Sequence, residues 1–249
     1  MQKEKFGLNA NQLKIIAALL MLIDHIGYFL FPSNLFLRKM GRLAFPIFAY
    51  FISEGCRYTH NKKKYFTRMF VLGLICMAGS FVFGKTIFVN IFITFSLSIL
   101  LIYVLQWLKT MLADEHITYG RRIACTVLCI IPFFAVYVLC RFVPVDYGFW
   151  GVMVAVFPHF YGIKEKSKDA PVVGGDFVLF SFGLVVLSCV KWMKSIALHA
   201  ITTQPYSLLS LPVLALYNRQ RGKYNMKYFF YIFYPLHISI LFLIKKYLM

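Results

Sequence analysis

Three ionisable residues interrupt an apolar stretch near the start of the chain. Lys14, Asp24 and His25 lie within residues 13–31, which read LKIIAALLMLIDHIGYFLF. A run of this length fits the roughly 20 residues that a helix needs to cross a bilayer. Ionisable groups inside such a helix are costly and usually face the protein interior or a water-filled cavity. These residues are therefore the first candidates for chemistry.

The spacing of Lys14 and His25 corresponds to about three helical turns, so both side chains share one face, on the order of 16 Å apart. This face offers a cation near one membrane surface and an imidazole near the middle. It suits a long molecule with an anionic head and a reactive end, such as acyl-coenzyme A (acyl-CoA). The alternative is a lysine that reaches the interface and a His–Asp pair that only links helices.

A second histidine lies in the last apolar segment, KYFFYIFYPLHISILFLIKK, at residues 227–246. Pro235 is expected to loosen a helical turn there and to free backbone groups beside His237. If the first and last segments run in the same direction, His25 and His237 reach a similar depth. A lone buried histidine is usually structural, whereas two at one depth favour a reactive centre.

The most basic loop is RYTHNKKKYFTR, residues 57–68. Arg57 and Arg68 lie at predicted helix ends, and with Lys14 they are candidates to hold the phosphates of a nucleotide head group. The alternative for this loop is anchoring by positive charge and contact with anionic lipid. Glu54, just before the loop, is expected to pair with Lys14 or Arg57.

Two further candidates lie on the opposite side of the predicted membrane. Arg42 begins the second apolar segment and is expected to contact either an acceptor or a lipid phosphate. Trp150 lies in DYGFWG, residues 146–151. Its ring is either an interfacial anchor or a ligand contact, because the neighbouring glycines let the backbone approach a ligand.

The composition indicates an all-α, polytopic membrane protein. The chain has 249 residues, of which 60% are hydrophobic, with a mean hydropathy of +0.71. Its net charge of +18 is concentrated in loops and is typical of membrane topology, so nucleic acid is not expected as a partner. The six cysteines form no CxxC pair, so we expect neither disulfides nor a metal site. No cleavable signal peptide is expected.

The apolar segments predict a single integral domain, residues 1–249, with about nine spans. The inside-positive rule places the N-terminus in the cytoplasm and, with nine spans, the C-terminus outside. The eighth segment contains Pro205 and Pro212 and is expected to be broken or re-entrant. The predicted spans are 13–32, 43–57, 67–84, 87–108, 122–142, 147–163, 174–191, 198–217 and 228–247.

Five segments carry a resemblance to a known family: LKIIAALLMLIDHIG (13–27), GRLAFPIFAYFISEGCRYTHNKKKYFTR (41–68), DYGFWGV (146–152), LYNRQRGK (216–223) and FYIFYPLHISIL (230–241). In these segments the sequence resembles the TraX family, which is named for the membrane protein that N-acetylates F-type conjugative pilin. TraX-like proteins are in turn distantly similar to the acyltransferase-3 superfamily, whose first helix carries a basic residue and a histidine at the spacing of Lys14 and His25.

The resemblance implies a transfer of an acetyl group from acetyl-CoA, or another acyl-CoA, in a bacterial cytoplasmic membrane. His25 would act as base or acyl carrier, with Asp24 organising neighbouring helices. His237 and Tyr234 would orient the acceptor or stabilise the oxyanion. The acceptor would be an amine or hydroxyl of a peptide, glycan or lipid.

Two other classes of function remain open from the sequence. A proton- or solute-coupled transporter would also explain buried ionisable groups, although the chain lacks the internal repeat of many transporters. A membrane assembly protein without chemistry would not need the two histidines.

Overall fold

The computed structural model describes residues 7–84, 89–160, 175–199, 202–224 and 226–248, and within these ranges the protein is all-helical. Leu8 and Tyr217 form an isolated bridge. Two short 3-10 helices cover Phe157–Phe160 and Gln204–Leu209. The α-helices are α1 (Ala10–Phe29), α2 (Leu35–Gly41), α3 (Ala44–Tyr58), α4 (Lys62–Gly84), α5 (Ile91–Ala113), α6 (Tyr119–Phe142), α7 (Gly148–Val156), α8 (Gly175–Ala197), α9 (Ser210–Ala215) and α10 (Lys227–Leu248).

Six helices of the described ranges are long and apolar enough to cross a membrane: α1, α4, α5, α6, α8 and α10. The all-α prediction is confirmed. The other three predicted spans correspond to shorter elements. The second predicted span corresponds to the 15-residue α3, and the sixth corresponds to α7 with its 3-10 extension. The eighth predicted span corresponds to a 3-10 helix followed by α9. The interruption expected in the eighth segment is therefore present. The short helix α2 was not predicted.

The chain divides into two compact units, and α3 and α8 contribute residues to both. The prediction of one integral domain stays a prediction. The first unit comprises Met1–Phe51, Lys166–Gly174 and Leu184–Met249, and the second comprises Ile52–Glu165 and Gly175–Gly183.

The second unit is built around α5, whose polar side chains bond to neighbouring backbone. The Thr94 hydroxyl donates to the Asp146 carbonyl at 2.8 Å, and the Ser98 hydroxyl donates to the Val152 carbonyl at 2.9 Å. These successive contacts show that α5 and α7 run in the same direction. The buried Asn90 caps α5 and donates to the Gly73 carbonyl of α4 at 2.9 Å. The small polar residues of this segment are thus satisfied within the bundle.

In the first unit, α1 and α10 run parallel. The Asn11 side chain, at the start of α1, donates to the Tyr224 carbonyl at 2.7 Å, just before α10 begins. About four turns later along both helices, His25 meets His237. The common direction expected for the first and last apolar segments is therefore confirmed.

The helix α3 runs antiparallel to α1 over its part in the first unit. Gly41, just before α3, lies against Asp24 near the end of α1, whereas Phe51 lies under the Lys14 ammonium near the start of α1. Residues 203–217 follow α3 in the same direction, since Thr203 contacts Arg42 and the Tyr217 ring contacts Phe51.

The short helix α2 folds back onto α1 through two glycines. A Cβ atom on Gly41 would lie 2.1 Å from the Asp24 Cβ and 2.6 Å from its Cα, and one on Gly27 would lie 2.8 Å from the Leu37 Cβ. The missing side chains therefore allow the two helices to touch. This contact brings the arginines that follow Leu37 next to the end of α1.

The replacement Gly41→Ala is expected to destabilise the protein by about 1–3 kcal/mol or more, because the clash involves backbone that cannot move alone. Thermal unfolding of the purified protein in detergent measures this. Gly79→Ala in α4 is the matched control, since nothing lies within 4 Å of the added Cβ. It should be neutral or stabilising through helix propensity. Equal unfolding temperatures for both variants would show that α2 does not pack as described.

Candidate functional site

The two histidines singled out in the sequence are in direct contact. The His237 Nε2 atom lies 2.9 Å from the His25 Nδ1 atom, and the ring centroids are 4.9 Å apart. His237 is buried and His25 is partly exposed. The expectation that both imidazoles reach one depth is therefore confirmed by an actual hydrogen bond between them.

The backbone fixes the tautomers of this pair. The His237 Nδ1 atom lies 2.6 Å from the Phe233 carbonyl one turn earlier, and a carbonyl can only accept, so this nitrogen carries the proton. In neutral His237 the Nε2 atom is then the acceptor, and His25 must donate from Nδ1. A neutral His25 therefore keeps its basic lone pair on Nε2.

Aromatic rings hold both imidazoles in place. The Tyr234 ring, itself buried, meets the His25 ring edge-on at 6.0 Å and the His237 ring edge-on at 5.7 Å. Phe233 stacks on His237 at 4.9 Å. Such packing restricts the rotamers of the pair and pre-organises the basic nitrogen of His25. Tyr234 thus lies at the site to which the sequence assigned it.

Asp24 is held by two arginines that follow α1. Arg38 Nη1 lies 2.9 Å from Asp24 Oδ2 and also donates to the Asp24 carbonyl at 3.1 Å. Arg42 Nη2 lies 3.9 Å from Asp24 Oδ1, and Arg42 Nε donates to the Thr203 hydroxyl at 3.0 Å. Asp24 therefore links α1, α2 and the segment before the second 3-10 helix. This is the organising role expected for it.

The sequence placed Arg42 at the outer surface, in contact with an acceptor or a lipid phosphate. In the structure its guanidinium lies beside Asp24 and Thr203, one residue from His25. Arg38 was missed altogether. Its only sequence signal is that Arg38 and Arg42 are one helical turn apart, directly after a span that carries an acidic residue.

Lys14 lies on the same uninterrupted helix as His25, because α1 covers Ala10–Phe29 and contains no proline. The shared face and the separation of about 16 Å along the axis therefore stand. The Lys14 ammonium lies 4.8 Å from the centre of the Phe51 ring, and Phe51 packs on Tyr217 at 5.3 Å.

The remaining predicted residues belong to the second unit. The Arg57 guanidinium binds the buried Asp176 carboxylate at 2.8 Å and donates to the Pro158 carbonyl at 3.0 Å. The pairing expected for Glu54, with Lys14 or Arg57, stays a prediction. Arg68 donates to the Lys64 carbonyl on its own helix at 3.1 Å.

Among the described residues of this unit, the other side chains form no cluster comparable to the histidine pair. The Trp150 ring packs edge-on against Phe149 at 5.5 Å. The buried His159 has its Nε2 atom 3.2 Å from the Ser53 carbonyl, and the Lys109 ammonium donates to the His159 carbonyl. In the described parts of the chain, no three His, Cys, Asp or Glu side chains converge to hold a metal ion.

These features define a multi-pass helical membrane protein with a hydrogen-bonded histidine pair beside an Arg–Asp–Arg cluster. The sequence matches the TraX protein family over residues 9–245, so the chain belongs to the TraX family.

Curated relatives come from bacteria. The chain is 27% identical to the probable fimbrial assembly protein FimC, serogroup H1, of Dichelobacter nodosus, over 96% of this chain and 97% of that protein. It is 35% identical to the uncharacterized protein RP591 of Rickettsia prowazekii (strain Madrid E), over 36% of this chain and 35% of that protein. No solved structure matches the chain. A multi-pass protein of a bacterial membrane follows from these findings.

Proposed function

We propose that the protein is an integral membrane acyltransferase, similar to the acyltransferase-3 superfamily, that transfers an acetyl group from acetyl-CoA to an amine or hydroxyl. The observation that carries this proposal is the hydrogen-bonded chain from the Phe233 carbonyl through His237 to His25. In this chain the basic lone pair of His25 lies on Nε2, and neutral His237 accepts the hydrogen bond from His25 Nδ1. This arrangement suits a general base that gains a proton and passes it on.

In this reaction His25 first accepts a proton from the acceptor and later donates it to the leaving group. His25 Nε2 takes the proton from the acceptor nitrogen or oxygen as that atom attacks the thioester carbonyl. The new C–N or C–O bond forms, the C–S bond breaks, and the same proton passes from His25 to the departing thiolate, which gives CoA thiol. Arg38 and Arg42 carry two positive charges and Asp24 carries one negative charge. The site beside His25 is therefore electropositive, which favours the oxyanion that develops during the reaction.

Lys14 is the residue on α1 that we assign to the phosphates of CoA. The distance of about 16 Å between Lys14 and His25 leaves room for the extended pantetheine arm between them. In the proposed orientation the N-terminus is cytoplasmic, where acetyl-CoA is made, and a cation at this end of α1 faces that compartment. Arg57 and Arg68 stay further candidates for the head group.

A nine-span topology belongs to this proposal. Six long helices that crossed the membrane in alternation would leave α1 and α10 antiparallel, whereas these two helices run parallel. We therefore infer that an odd number of the shorter elements crosses as well. The directions of α3, α7 and residues 203–217 favour all three.

A role in assembly without chemistry is the second candidate. It is favoured by the name of the Dichelobacter nodosus relative, a probable fimbrial assembly protein that aligns over nearly its whole length. In that case the histidine pair would only join α1 to α10. The two candidates differ in one respect that can be measured, because only the acyltransferase consumes acetyl-CoA.

The test is acetyl-CoA turnover by the purified protein in lipid nanodiscs, with ethylamine as a small acceptor and CoA release followed by chromatography. Lys14→Ala should raise the KM for acetyl-CoA about tenfold or more, because it removes a charge-assisted contact to phosphate, and should change kcat less. Lys63→Ala, at an exposed lysine of α4, is the matched control and should match the wild type. If the wild-type protein releases no CoA, the acyltransferase proposal is overturned and the assembly role becomes the favoured function.

A further inference from the structure

Three cations lie close together in and just after α2. Arg38, Lys39 and Arg42 follow α1, whose last turns carry Asp24 and His25. In the proposed orientation this segment lies outside the cytoplasm, where the inside-positive rule disfavours lysine and arginine. Asp24 balances one of the three charges, and among the described residues of the first unit it is the only one with a side-chain carboxylate. The surplus positive charge therefore favours an anionic ligand.

The two arginines lie against the turn of α1 that carries His25. Arg38 Nη1 lies 2.9 Å from Asp24 Oδ2, and the central carbon of the Arg38 guanidinium lies 5.2 Å from the centre of the Tyr28 ring. Asp24 and Tyr28 are one helical turn apart, and His25 lies between them in the chain. Arg42 Nη2 lies 3.9 Å from Asp24 Oδ1, which is too long for a hydrogen bond. Both guanidinium groups are therefore next to the proposed base.

Lys39 and Arg42 contact the same turn of the second 3-10 helix. The Lys39 ammonium lies 4.8 Å from the centre of the Tyr206 ring, and Arg42 Nε donates to the Thr203 hydroxyl at 3.0 Å. The Tyr206 N–H donates to the Thr203 carbonyl at 3.3 Å, which joins the two contacts. The side chains of Arg38 and Arg42 are 21% and 17% exposed, so a ligand can reach them.

We propose that Arg38, Lys39 and Arg42 form an anion subsite that binds a carboxylate or phosphate group of the acceptor. Guanidinium groups bind both kinds of anion through charge-assisted hydrogen bonds. The bound anionic group holds the neighbouring amine or hydroxyl of the acceptor beside His25 Nε2. This inference rests on the proposed acyl transfer, because it names the class of acceptor for that reaction.

The anion subsite differs from the effect of the same arginines on the oxyanion. An oxyanion forms with every acceptor, so its stabilisation favours charged and neutral acceptors alike. A subsite for the acceptor's own anionic group favours only those acceptors that carry such a group. The ratio of kcat/KM for an anionic acceptor and its neutral counterpart therefore measures the anion subsite alone.

The test compares acceptors that differ in an anionic group near the amine. Glycine is set against glycinamide for a carboxylate, and O-phosphoethanolamine against ethanolamine for a phosphate, with kcat/KM measured in phosphatidylcholine nanodiscs. The wild type should prefer the anionic acceptor of at least one pair. Arg42→Gln should reduce this preference about tenfold or more, because it removes a charge-assisted hydrogen bond. The pair that responds tells whether the anion is a carboxylate or a phosphate.

The lysine of the anion subsite has a matched control. Lys39→Gln should reduce the preference about threefold, the effect of one partly exposed charge. Lys246→Gln removes an ammonium that also lies over a tyrosine ring, 5.2 Å from the centre of Tyr247. Lys246 lies about 13 Å beyond His237 along α10, so this variant should keep the preference. A loss of folded protein lowers both rates together and does not change the ratio.

The outcomes separate the anion subsite from the proposed function. CoA release without a preference in either pair, or with the same preference in wild type and Arg42→Gln, would overturn the subsite and leave the acyltransferase. In nanodiscs with phosphatidylglycerol, a change of rate that Arg42→Gln abolishes, at an unchanged acceptor preference, would assign these cations to lipid phosphate instead. Absence of CoA release from the wild type with every acceptor would overturn the proposed function and the subsite with it.

Discussion

Replacing His25 with alanine is expected to lower acetyl transfer by about 10²–10⁴-fold, the range that a general base contributes. The hydrogen bonds of the pair fix both tautomers so that the basic lone pair of neutral His25 lies on Nε2. CoA release and acetylated product are measured with saturating acetyl-CoA, so that the loss appears in kcat. Binding of acetyl-CoA, followed by calorimetry, should change little because Lys14 is retained.

The effect of His25→Ala is compared with two other histidine variants. His116→Ala, at an exposed loop position, is the matched control and should keep full activity. His237→Gln should give an intermediate loss, because a glutamine carbonyl can still accept from His25 Nδ1 but no longer bonds to Phe233 in the same way. Full turnover by His25→Ala would exclude this residue as the base and move attention to the assembly role.

The central part of the candidate site could be predicted from the sequence because helical geometry is regular. One helix without proline fixes the relation of Lys14 to His25, and ionisable residues in apolar segments mark positions that avoid lipid. The parallel direction of α1 and α10 followed from the predicted number of spans. These inferences needed only the period of a helix and the polarity of a membrane.

The partners of Asp24 could not be predicted in the same way. Arg38 reaches Asp24 because α2, a helix of seven residues, packs back onto α1 at two glycines. The sequence contains no hydrophobic pattern that predicts so short a helix. Thr203, which fixes Arg42 beside Asp24, lies 161 positions after Arg42, in a segment whose prolines indicated only an interruption. Contacts of this kind depend on packing between helices, which local secondary-structure propensity does not predict.

The prediction for Arg57 shows the same limit of local patterns. A basic residue at a helix end beside three lysines resembles a phosphate-binding surface. In the structure its guanidinium is occupied by Asp176, at the beginning of α8, and by the carbonyl of Pro158. Asp176 follows a polar stretch of the sequence, so nothing local distinguished it from a solvated loop residue.

Replacing Arg57 with methionine is expected to destabilise the protein by about 3–5 kcal/mol, because it leaves the Asp176 carboxylate buried without its partner. Asp176 has a fractional exposure of only 2% and the Arg57 side chain only 21%, so solvent screens this pair weakly. The Pro158 carbonyl also loses a donor. Chemical or thermal unfolding in detergent measures the loss. Arg68→Met is the matched control and should be nearly neutral, because the hydrogen bond of Arg68 within the described residues is to Lys64 of its own helix.

The double variant Arg57→Met, Asp176→Leu separates a structural ion pair from a ligand site. Removing both charges abolishes the unpaired carboxylate, so stability should recover to near that of the wild type, as for other buried ion pairs replaced by apolar side chains. If Arg57 instead holds a phosphate of CoA, the double variant should fold well and still show a raised KM for acetyl-CoA. A single variant Arg57→Met with wild-type stability would contradict the ion pair itself. Because stability and KM respond independently, the two roles of Arg57 can be assigned from one set of variants.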